Sequence, residues 1–230
     1  MLLSELFTYI VNLDSRSIDL DTAGDGIIVA AHYPKVIKAI NLGMTDLYKE
    51  FNIKEKLIVV QLYAHITDYL LTSDYAETNI ASTQPYKYIM DTTFDPFMDD
   101  VMVIQTISNE GGIEYPINQT NQEYSMYTPS YNMVQHPFPD DENAIFITYR
   151  ALNVLIPDTA DPATYEVDIP IQVLPLLLVY VNHKLLASIN KEESVAKLNE
   201  YIALLTNAKT LGLFLNENSA NENLEAAGWE

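Results

Sequence analysis

The stretch "YEVDIPIQVLPLLLVYVNHKLLASIN", Tyr165 to Asn190, decides how this chain folds. It is the most apolar run in an otherwise strongly acidic sequence. A membrane-spanning helix needs about 20 consecutive apolar residues. Here Gln172 breaks the run, Asn182, His183 and Lys184 close it, and Pro170 and Pro175 fall in its first half. The run is too short for a bilayer and wrongly flanked. It reads as a helix apolar nearly all round, which other elements must cover. Pro170 opens the segment, and Pro175 is expected to kink its first turns or delay its start.

Working outward, "KEESVAKLNEYIALLTNAKTLGLFL" places Val195, Leu198, Ile202 and Leu205 on one helical face, with Glu192 and Glu193 favourably near its N-terminus. The start of the chain repeats the pattern. Leu2, Leu3, Leu6, Phe7 and Ile10 share a face, and Glu5 interrupts the apolar run, so an amphipathic helix is expected and not a signal peptide. "YPKVIKAINLGMTDLYKEFNI" spaces Val36, Ile37, Ile40, Met44, Leu47, Tyr48 and Phe51 as a helix, with Pro34 suited to the first turn.

Between these ends the period changes. "KEKLIVVQLYAHITDYLLT" is rich in β-branched residues and reads as one or two strands. "DDVMVIQTISNEGGIEYPINQ" reads as two strands joined by a turn at 109–112. A short strand near Asn132–Gln135 and a strand over Ala144–Asn153 follow, while 73–98 carries no clear period. The expected fold is α+β: a bundle of N- and C-terminal helices with a β-rich middle insert. Residues 1–53 and 166–215 are assigned to the bundle, 54–165 to the insert and 216–230 to a flexible C-terminal tail.

At 230 residues the chain holds one large domain or two small ones, and can bury roughly 70% of its unfolded surface. With no Cys it has no disulfide framework, thiolate metal site or thiol nucleophile. The 32 Asp and Glu against 12 Lys and Arg give a formal charge of −20. Such a chain lacks the basic footprint of a nucleic-acid binder and repels anionic lipid. An acidic wall does suit a channel through which DNA must slide. Tyrosine is abundant at 16, with a single Trp, as at interfaces or in half-buried strands.

The chemistry of an enzyme is not visible. "DLDTAGDGIIVA" resembles a calcium loop at Asp19, Asp21 and Gly24, but Ala23 and Ala30 stand where ligands are needed. The series Asp91, Asp95, Asp99 and Asp100 would hold Mg²⁺ only if the fold gathered it, which leaves a metal-dependent hydrolase as the remote reading. His32, His65, His136 and His183 show no metal spacing. There is no GxSxG, P-loop or GxGxxG. "NQT" at Asn118–Thr120 fits a glycosylation acceptor. No catalytic residue, metal or cofactor is assigned.

The last third carries a further pattern. A Tyr-Arg strand, "IFITYRALNVLIP" (Ile145–Pro157), leads through an Asp/Pro loop to an Ile169-Pro170 helix start with Tyr180-Val181 at its centre, and "KLNEYIALLTNA" follows. Together with the two helices of Leu2–Phe51, this resembles the head-to-tail adaptor, or connector, proteins of tailed bacteriophages, short-tailed ones especially. It departs from them at "AAHYPKVIKA", where the family often has a Trp-Ser/Thr-Asp-Glu helix start. The resemblance implies a virion protein at the head–tail junction, assembled in the host cytoplasm. It implies a homo-oligomeric ring, commonly of twelve subunits, docked under the portal protein and offering a platform to a tail tube or nozzle protein. DNA passes through without specific binding, and no membrane is involved. On this reading Ile40, Leu47, Leu177, Tyr180, Leu198 and Ile202 pack helices within and between subunits. Leu215, Leu224 and Trp229 anchor a tail that docks in the portal, and Tyr124, Tyr127 and Tyr131 face the tail partner. The alternative is another virion component: a tail, fibre or capsid-associated protein.

Overall fold

The computed structural model describes residues 1–12, 27–141 and 143–213. The chain divides into a helical unit drawn from both ends and a β unit, residues 54–153. The fold is α+β, with helices at both ends and strands between them.

The helical unit is built on α1 (Leu3–Asn12), α2 (Tyr33–Glu50), α3 (Leu174–Leu186) and α4 (Lys191–Thr210). Helix α3 answers the question raised by its sequence. It contacts α1, α2 and α4, and buries Leu174, Leu176, Leu177, Leu178, Val181, Leu185 and Leu186. Three neighbours require apolar residues nearly all round, so most of the covering is done inside one chain. Pro175 sits in the first turn, where its missing N–H costs nothing, and the helix begins at Leu174 and not at Pro170. Helix α2 meets α3 closely at Gly43. A Cβ there would come within 2.6 Å of the Leu177 side chain and 3.0 Å of the Tyr180 ring.

Helix α4 is capped by Asn190, whose side chain accepts from the Glu193 amide while its Nδ2 donates to Glu193 Oε2. Ser194 then ties the α3–α4 turn. Its hydroxyl donates to the His183 carbonyl at 3.1 Å, and His183 Nδ1 lies 2.9 Å from the Ser194 carbonyl. The apolar face read for α4 needs correction. Its buried residues are Ser194, Tyr201 and Ala208, while Val195 and Ile202 are about half exposed at 48% and 50%. Tyr201 wins the inward position because its hydroxyl reaches Asp46 on α2 at 2.5 Å and its ring packs edge-on against Tyr180.

Residues 154–165 belong to the helical unit and not, as the sequence suggested, to the β insert. Ile156 is buried in the helical core, and Asn41 of α2 brackets it by accepting from its amide and donating to its carbonyl. Further on, Tyr165 and Val167 pair with the backbone of Met1 and Leu3.

The β unit holds two three-stranded antiparallel sheets. The first runs β1 (Glu55–Gln61), β6 (Ala144–Ala151), β3 (Val101–Asn109). The second runs β2 (Asp68–Leu70), β5 (Met133–Gln135), β4 (Tyr127–Ser130). Central strand β6 alternates as a period of two requires, burying Ile145, Ile147, Tyr149 and Ala151. The turn after β3 forms, with Gly112 at φ 78, but its return arm does not become a strand. It makes one bridge to β3, Ser108 to Glu114, and Pro116 then lacks the N–H that a ladder needs.

Much of this unit is irregular backbone, held by side chains. Tyr88 donates to the Leu70 carbonyl and accepts from the Leu70 amide, at 2.9 and 2.8 Å. Tyr69 does the same at Tyr63. Buried hydroxyls here take over bonding that longer strands would have supplied.

Candidate functional site

The acidic series is not gathered into one site. Asp91 accepts from the Thr78 and Phe97 amides, at 2.9 and 3.0 Å, and from the Thr78 hydroxyl. Burial pushes its carboxyl up, but these bonds outweigh burial and hold it below the usual carboxylate range. Asp99 accepts from the amide and hydroxyl of Ser73. Asp100 is nearly buried and takes Lys56 Nζ at 2.7 Å and the Tyr149 hydroxyl at 2.8 Å. Burial first, then Asp100, raises the Tyr149 phenol above its ordinary value. Asp91, Asp99 and Asp100 thus each hold a different partner segment. Among the described residues no group of three or more His, Asp or Glu is placed to hold a metal ion. The cavity beside them, of about 120 Å³, is lined by Lys56, Asp91, Asp95, Phe97 and Tyr149. The calcium-like loop at Asp19, Asp21 and Gly24 lies outside the described residues.

The histidines are equally dispersed. His183 ties the α3–α4 turn. His136 is 8% exposed, its Nδ1 accepts from the Phe138 amide at 3.2 Å, and burial lowers its pKa. His65 is exposed, against Tyr86. Asn118 of the glycosylation pattern has its amide engaged with Thr128.

What remains as candidate functional surface is helix faces and tyrosines. On α2, Lys35, Lys38, Leu42 and Lys49 are exposed and fall on one stripe, with 35, 42 and 49 seven residues apart. Lys38 keeps an exposed ion pair with Asp158 at 3.6 Å. On α4 the exposed stripe is Glu192, Val195, Asn199, Ile202 and Thr206, which carries no cation. One face carries three lysines, and the other sets two aliphatic residues, Val195 and Ile202, among polar ones. Both belong to the helical unit.

Of the residues assigned to subunit packing, Ile40, Leu47 and Leu177 are buried to within 1% in the helical core and are spent inside the chain. That corrects any role for them between subunits: a side chain with no exposed surface has none left to offer. Tyr180 and Leu198 pack against the core partly buried, with Lys184 Nζ 5.1 Å from the centre of the Tyr180 ring. Ile202 alone of the six is exposed. Tyr124 and Tyr131 are each 64% exposed, and Tyr127 is half-buried at the start of β4. Leu215, Leu224 and Trp229 lie outside the described residues.

An exposed ring cluster was missed in the sequence. Tyr63, His65 and Tyr86 meet at ring-centre distances of 4.7 to 6.0 Å. The chain after Tyr86 runs back along β1, with Gln61 donating to the Tyr88 carbonyl and Met90 to that of Val59. A signal existed only in hindsight, as two tyrosines flanking β-forming residues, with no local spacing to join them. The described helices include none long and apolar enough to cross a membrane. Comparison of the chain with protein-family models and with curated proteins finds no match.

Proposed function

We propose that this chain is a head-to-tail adaptor of a tailed-phage virion. It assembles with copies of itself into a ring, docks under the portal protein, and presents its other side to a tail tube or nozzle protein. The observation that carries this reading is the pair of dissimilar exposed faces in the helical unit: three lysines on α2, and on α4 the aliphatic Val195 and Ile202 among polar residues without a cation. A twofold dimer matches one patch with itself. Two different patches in contact repeat head to tail, and close into a ring when the rotation allows. The resemblance in helix order and in the Tyr-Arg strand supports the same reading. The net charge of −20 suits a conduit that DNA traverses without being held.

The test is the mass of the protein in solution, alone and mixed with a purified portal ring. The expected result is a stoichiometric ring on the portal, blocked by Ile202→Glu and by Lys35→Glu with Lys38→Glu. Deleting residues 224–230, the end of a polar tail and the site of the chain's one Trp, is expected to spare folding and weaken portal docking. A stable trimer, or no association with the portal, would sink the adaptor and favour a fibre, tail or capsid-associated role.

A further inference from the structure

Within residues 54–153 the only cations in the sequence are Lys54, Lys56, Lys87 and Arg150, against fourteen Asp and Glu. Lys56 is bound to Asp100, and Lys87 gives its ammonium to the Asn79 carbonyl. Against this acidic background the cluster of Tyr63, His65 and Tyr86 stands at the surface, with His65 exposed and Tyr86 40% exposed. Its rings are tilted by 54° to 61°, with His65 and Tyr86 edge to face, so they form no closed stack; Tyr63 packs partly buried against the core beneath. Asp141 sits at its edge, accepting from the amide of Ala64 at 2.6 Å.

Solvent-exposed aromatic rings such as that of Tyr86 attract cations through their quadrupole. A carboxylate alongside adds a hydrogen-bond acceptor for a planar donor. A guanidinium satisfies both, because it is weakly hydrated, stacks on rings and forks onto carboxylates, whereas a lysine ammonium is a strongly hydrated point charge. We propose that Tyr63, His65 and Tyr86, with Asp141 at their edge, form a docking surface for an arginine-bearing segment of a protein partner. Charge complementarity selects this occupant, since an acidic segment would meet a surface of its own sign. The surface does not depend on ring formation, so it stands or falls separately from the adaptor role.

The test uses the full chain and short peptides of alternating arginine and glycine, with lysine–glycine and glutamate–glycine counterparts, titrated at about 0.15 M salt. The arginine peptide should bind several-fold more tightly than the lysine peptide, and the glutamate peptide not at all. Tyr86→Leu and Tyr63→Leu keep the net charge and should each weaken arginine-peptide binding about three- to tenfold, as expected for loss of a cation–π contact. Tyr86→Phe keeps the ring and should retain affinity. If Tyr63→Leu fails to fold, the exposed position of Tyr86 lets Tyr86→Leu decide alone. Affinity unchanged by Tyr86→Leu, equal binding of the arginine and lysine peptides, or no binding of either would overturn the proposal. The first two outcomes would mean that charge alone draws the peptide.

Discussion

The two units solve the same problem with different chemistry. The helical unit buries Leu, Ile and Val from four helices, whose ladders satisfy most of its backbone, with a few side-chain bonds such as Asn41 to Ile156 and Tyr201 to Asp46 added. The β unit has short strands and long irregular connections, so its core includes Tyr69, Tyr88 and Tyr149, with hydroxyls spent on backbone or carboxylate. The first is held chiefly by shape, the second by shape together with particular hydrogen bonds. The difference teaches where each is vulnerable. An aliphatic core suffers when volume is removed, whereas a hydroxyl-stapled core suffers when one oxygen or one proton changes.

The largest break in the comparison should come from Leu177→Ala. Leu177 is fully buried on the helix that meets all three others, and it lies against Gly43. The substitution should cost about 2–5 kcal/mol, read from the shift in the urea midpoint. A loss under 1 kcal/mol would show that α3 is not the centre of that core.

Next comes Tyr88→Phe. It keeps the ring, edge-on to Tyr69 and stacked on Tyr75, and removes only the hydroxyl that serves both backbone groups of Leu70. It should cost about 1–3 kcal/mol, the penalty for leaving buried polar groups unpaired. An unchanged midpoint would mean that water takes over at Leu70, and the contrast between the units would weaken.

The smallest effect is one of pH. Burial lowers the folded-state pKa of His136, so the unfolded chain binds the proton better. The β unit should therefore lose stability as pH falls from neutrality through about 6.5, and further until the lowered value is passed. His136→Gln should remove that part of the dependence. Asp91 acts lower on the scale. Its depressed carboxyl contributes stability above about pH 3.9 that is lost as pH falls through the folded value. Tyrosine circular dichroism between pH 7 and 5, in the parent and in His136→Gln, measures the first step. Superimposable profiles would remove His136 from the account.

Helices α1 and α2 were legible because their apolar spacing is strict and each buries one broad face. Strand β6 was legible because it alternates. The segment 73–98 was not, since its order comes from partners far along the chain: Ser73 on Asp99, Thr78 on Asp91, Tyr88 on Leu70. The return arm after the 109–112 turn failed as a strand for a reason present in the sequence, Pro116. The candidate surfaces were half legible. Ile202 was picked out as apolar at helical spacing, but not that it faces outward, and nothing linked Tyr63 to Tyr86.

By itself the sequence determined the order of the four helices with a β-rich middle between them, the apolar enclosure of α3 and the acidic character of the chain. Periodicity, proline placement and charge are properties of neighbours along the chain, and survive without knowledge of the fold. Only the tertiary structure decided which face of α4 turns inward, that 154–165 joins the helices, and that Asp91, Asp99 and Asp100 bond different partner segments. Those outcomes depend on distant partners such as Asp46 for Tyr201 and Asn41 for Ile156, and no local pattern encodes the distance between them.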